Sequence, residues 1–84
     1  MPRDLTGSVL SDVAAERLRQ EMLREEGSLA YTAACSDCPD SLRLAALVEE
    51  VGEVARALHD GDFENLAAEL VQVAAVAVAW REAL

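Results

Sequence analysis

From Leu66 to Trp80 the chain reads LAAELVQVAAVAVAW, and only Glu69 and Gln72 in that run are polar. A helix that is apolar all round belongs in a core. A carboxylate and an amide set into it must find partners or destabilise the fold. Glu69 and Gln72 are three apart, so on a helix they share a face. Upstream, EEVGE supplies a second pair at that spacing, Glu50 and Glu53. Two helices that each present such a pair, one of them fully acidic, suggest a divalent cation held between helices.

The rest of the chain limits what can surround that pair. With 84 residues there is room for one domain, 1–84, and one modest core. A core of that size is marginal alone, which makes self-association the expectation. Hydrophobic residues are 52% of the chain but aromatics only 4%, so Ala, Val and Leu must do the packing, as closely approaching helices require. The net charge is −9, and every basic residue is an arginine. Bulk charge therefore disfavours nucleic acid and anionic membranes as partners. A phosphate ligand is compatible with it, because a bound cation inverts the local field. The opening MPRDLTGS lacks the apolar core of a signal peptide. The Leu66–Trp80 run is short for a membrane span and contains Glu69. A cytoplasmic protein is the expectation.

Three main antiparallel helices are predicted, in an all-α bundle completed by dimerisation. Thr6 or Ser8 is expected to cap the first, Val9 to Arg24, with Val9, Leu10, Val13, Leu18 and Met22 as its apolar side. A short helix is expected over Leu29–Ala34. Asp40 or Ser41 should cap the next, which runs to His59 on a stripe of Leu44, Leu47, Val48, Val51, Ala55 and Leu58. Gly61 suits its end, and Asp62 can cap a final helix starting at Phe63. Cys35 and Cys38 form CSDC, half a zinc site if a second chain completed it. With only His59 besides, two reduced thiols in a connection is the simpler reading.

Glu50 and Glu53 lie away from the centre of that stripe, near Val51. A solvated charged face would explain them, except that Ala46 and Ala57 share their side, where long polar residues would be usual. Gly52 also sits mid-helix at a cost of about 1 kcal/mol against alanine, as if to allow close helix approach or ligand access. For Glu69 and Gln72, pairing across a dimer contact is the alternative to a ligand site. Glu49, Glu50, Glu53 and Glu69 crowded together would repel, and a hard cation such as Mg²⁺ resolves that repulsion through oxygen ligands.

EEVGEVARAL followed by AELVQVAAVAVAW resembles the MazG-like nucleotide pyrophosphohydrolases, whose motif is EExxE, a gap, then ExxD. AAERLRQ, ending at Gln20, is similar to the first helix of short members. The resemblance implies a helical dimer or dimer of dimers that uses Mg²⁺, or Mn²⁺, to hydrolyse a nucleoside triphosphate to monophosphate and pyrophosphate. It implies Glu50, Glu53, Glu69 and Gln72 as metal ligands and Glu49 as an additional acid that coordinates metal or orients water. Gln72 stands where the motif has Asp, removing one charge. With no Lys, and no basic segment after the last helix in this sequence, Arg17, Arg19, Arg43 or Arg56 is left to hold phosphates. Met22 and Leu23 stand where relatives often carry a charged and aromatic stretch, so base recognition is not legible. A MazG-like module that binds nucleotide without turnover is the alternative. An acidic helical partner or DNA mimic is the third.

Overall fold

The computed structural model describes residues 5–84 and builds them around three α-helices: α1 (Leu5–Glu25), α2 (Asp40–Asp60) and α3 (Phe63–Glu82). No strand occurs among the described residues. Residues 1–4 lie outside them, and with them half of the opening segment read above for a signal peptide.

Both inner ends follow from glycine. Gly27 and Gly61 take positive φ angles of 84° and 68°. After each, the next amide reaches back five residues, Ser28 N–H to Leu23 O at 2.9 Å and Asp62 N–H to Ala57 O at 3.0 Å. These are Schellman closures, which occupy carbonyls that the helix leaves unpaired. Asp62 then caps α3, accepting from the Asn65 amide at 3.1 Å. The α2–α3 hairpin is therefore set by Gly61 and Asp62 alone.

Two other expectations about helix ends fail. α1 begins at Leu5, so Thr6 and Ser8 lie inside it; Leu5, four residues before Val9, extends that apolar line by a turn. Asp40 makes no capping bond, because its carboxylate instead accepts from Arg43 Nη1 at 2.9 Å and from Trp80 Nε1 at 3.1 Å. The short helix at Leu29–Ala34 is absent as well. There the Thr32 hydroxyl accepts from its own neighbour, Ala34 N–H, at 3.3 Å, and Cys35 Sγ accepts from Thr32 N–H at 3.3 Å. Such local bonds divert the backbone from a helical ladder.

α1 and α2 both pack on α3 and their backbones do not approach each other. The core is made of small residues, Val13, Cys38, Ala57, Ala75, Val76 and Ala79, and no large side chain is fully buried. α2 turns Arg43, Ala46, Glu50, Val54 and Ala57 inward, a line spaced three and four apart. Of the stripe expected to be its core side, Leu44, Val48, Val51, Ala55 and Leu58 are exposed and only Leu47 is half-buried. On α1 only Val13 of the expected apolar side is buried, beside Glu16 and Arg17; Val9, Leu10, Leu18 and Met22 face outward. The Ala-rich side of α2 wins because small side chains let α3 come close, leaving the bulkier residues as a separate surface. α3 is likewise covered only in part: Leu70 and Val78 are exposed. The whole helix, longer than the Leu66–Trp80 run, is at 20 residues long and apolar enough to cross a bilayer by length and composition alone. Here it serves as the helix on which both others pack. Gly52 faces open space, with nothing within 4 Å of an added Cβ, so no close approach within the chain depends on it.

Candidate functional site

Glu50 and Glu69 are both half-buried, one on the inner line of α2 and one on α3. Their carboxyl groups meet across the helix contact. Burial pushes the Glu50 carboxyl above the usual carboxylate range, and Glu69, then Glu49 and Glu53, push it the same way. Glu49 and Glu53 are exposed on the outer side of α2. The four glutamates thus form an inner pair with two outer carboxylates beside it. Among the described residues no three acidic, thiol or imidazole groups converge on one point as a ready-made metal cage. Mg²⁺ does not need one, since it is usually held by one or two carboxylates together with phosphate oxygens and waters. The inner pair fits that donor set.

Gln72 stands one turn beyond Glu69 on α3 and meets the Glu16 carboxylate of α1. Glu16 is only 9% exposed. Arg19 grips it at both oxygens, Nε to Oε1 at 2.7 Å and Nη2 to Oε2 at 2.9 Å, and Gln20 Nε2 adds a longer contact at 3.4 Å. Its carboxyl is held below the usual range, chiefly by Arg19, with Gln72 contributing. An ionised carboxylate only accepts hydrogen bonds. With its NH₂ turned toward Glu16, the Gln72 amide would present its carbonyl oxygen as the free end.

Glu50 and Gln72 line one cavity of about 280 Å³, which opens between α1, the connection and α3. Its remaining wall includes Tyr31 and Ala33 from the connection, Ala46 from α2 and Val76 from α3. Arg43 holds the connection in place. It is buried, and its Nε and Nη2 donate to the carbonyls of Ala33 at 2.8 Å and Cys35 at 2.6 Å. A second tie runs from the Thr32 hydroxyl to Glu21 Oε2 at 2.7 Å.

Of the four arginines left open for phosphate binding, three are occupied. Arg17 pairs with Glu21 and Glu82, Arg19 with Glu16, and Arg43 with Asp40 and two carbonyls. Arg56 is exposed, carries no ion pair or side-chain hydrogen bond among the described residues, and lies one turn beyond Glu53 on the outer side of α2. Cys35 and Cys38 are free thiols, and His59 is at the far end of the helix that Cys38 precedes. The residues that sequence reasoning missed are Glu16 and Tyr31. The one signal for Glu16 was Gln72 itself, an amide set in an otherwise apolar run with only Glu69 for company.

Residues 39–82, which are α2, its turn and all of α3, match the family model of the MazG nucleotide pyrophosphohydrolase domain. The chain belongs to the MazG family. The match takes in the EEVGE and ELVQ segments, and with them Glu50 and Glu69, which meet in space. α1 and the connection, which supply Glu16 and Tyr31, lie outside the matched range. No curated protein and no solved structure matches the chain.

Proposed function

We propose that this MazG protein hydrolyses nucleoside triphosphates to the monophosphate and pyrophosphate. The observation that carries the reading is the meeting of Glu50 and Glu69, where burial and like charge leave a carboxyl group that a cation would relieve. Glu50, Glu53 and Glu69 would hold Mg²⁺ or Mn²⁺, with the free carbonyl oxygen of Gln72 as an uncharged fourth ligand. The cation, when bound, supplies neutralisation of the triphosphate and activation of water. Glu49, exposed beside the inner pair, orients the attacking water and takes its proton. Arg56 meets the phosphates from the outer side of α2.

A module that has lost turnover through Gln72 is the competing reading, and Glu16 argues against it. An aspartate at position 72 would set a second carboxylate against a nearly buried one, so the amide is the residue that this neighbour requires. Self-association as a homodimer or dimer of dimers completes the proposal. The exposed stripe of Leu44, Val48, Val51 and Leu58 on α2 offers an apolar face to a second copy.

The test is a panel of ribo- and deoxyribonucleoside triphosphates with Mg²⁺ or Mn²⁺. Stoichiometric monophosphate and pyrophosphate are expected, with Glu53→Gln inactive at unchanged helicity. Absence of pyrophosphate from every substrate sinks the assignment.

A further inference from the structure

The glutamates account for the phosphate end of a nucleotide and leave its organic end without a place. We infer that the cavity between α1, the connection and α3 takes the base and sugar, with Tyr31 as the surface on which the base stacks. The inference rests on the nucleotide reading above and adds to it the residues that hold the nucleoside.

Three observations carry it. The cavity meets the acidic site only at its edge, at Glu50 and Gln72, while Glu49, Glu53 and Glu69 stay off its wall. A ligand whose charged end lies at the glutamates would therefore enter with its uncharged end. The volume, about 280 Å³, is at the lower end of small-ligand sites (roughly 300 Å³ upward), a size for a nucleoside rather than a whole triphosphate. The wall offers an aromatic ring at Tyr31 and aliphatic surface at Leu29, Ala46 and Val76, and base rings stack on aromatic side chains. Tyr31 is about half exposed, which leaves its ring accessible, and Arg43 and Thr32 hold the segment that follows it.

The experiment compares the whole protein with Tyr31→Ala, Tyr31→Phe and Ala46→Met, binding α,β-methylene nucleoside triphosphates and, separately, inorganic tripolyphosphate in Mg²⁺. Tyr31→Ala should weaken the nucleotide analogues about tenfold and leave tripolyphosphate unchanged. Tyr31→Phe should bind as the native chain does. Ala46→Met, which fills the cavity from α2, should reproduce the selective loss. Native-like nucleotide binding by both Tyr31→Ala and Ala46→Met overturns the inference while the activity stands, as does an equal loss for tripolyphosphate. A native protein that binds none of the nucleotide analogues overturns both.

Discussion

Glu50 and Glu69 bring their carboxyl groups together between α2 and α3, whereas every other carboxylate on those two helices is exposed. Burial makes the charge of Glu50 costly.

That cost sets a pH dependence. The Glu50 carboxyl titrates above its unfolded value, so the folded chain binds its proton more tightly than the unfolded chain does. Ionising Glu50 then destabilises the fold, fully above the raised value and not at all below about 4.5. Glu50→Gln should raise the melting temperature of the metal-free protein at pH 7.5 and leave it unchanged at pH 4. Mn²⁺ should stabilise the native protein at pH 7.5, do so less as pH falls through the Glu50 titration, and have no effect on Glu50→Gln. Thermal melts with and without Mn²⁺ check all three.

Arg56 has no side-chain partner among the described residues and lies one turn beyond Glu53. Arg56→Ala should raise KM for a nucleoside triphosphate about tenfold, the worth of a charge-assisted hydrogen bond, with helicity intact. Arg81, also without a side-chain partner among the described residues, is the control. It stands twelve residues along α3 from Glu69, about 18 Å of helix, and Arg81→Ala should leave KM unchanged. Steady-state kinetics separate the two.

Acid should loosen the tie between α1 and the connection. Hydrogen bonds from Thr32 first, then Arg24 and Arg17, hold the Glu21 carboxyl down to about 2. Its contribution is complete above about 4.5 and is lost as pH falls from there toward about 2. Thr32→Val should cost about 1.5 kcal/mol at pH 7, and the gap to the native protein should narrow below pH 4. Urea unfolding at several pH values measures the gap.

The exposed stripe on α2 predicts association. Sedimentation should find at least a dimer at micromolar concentration, and the melting temperature should rise with protein concentration. Val51→Glu should yield a less stable monomer. A monomer whose melting temperature ignores concentration would refute this.

The sequence and the fold agree most where one residue decides a local outcome. Gly61 ends α2 and Asp62 starts α3, as their chemistry requires. EEVGE and ELVQ do come together, because Ala46 and Ala57 mark the side of α2 that α3 can approach closely. The apolar stripe misled for the same reason: Leu44, Val48 and Val51 are too bulky for that contact, and hydrophobicity alone does not say which of two faces a single chain covers. Glu16 was hidden because its partner lies on another helix, fifty-six positions away. The connection was illegible because the bonds that shape it come from Arg43, which reads in sequence as one more charge on a helix.

Arg43 belongs to α2, and the two carbonyls it holds flank the segment just after Tyr31. The wall beside that ring is thus bolted to the helix that carries Glu49, Glu50 and Glu53. Any small rotation of α2 as its carboxylates gather on a cation would carry the wall with it. Loading one end of the site would then preset the other, with a single guanidinium as the linkage between charge and shape.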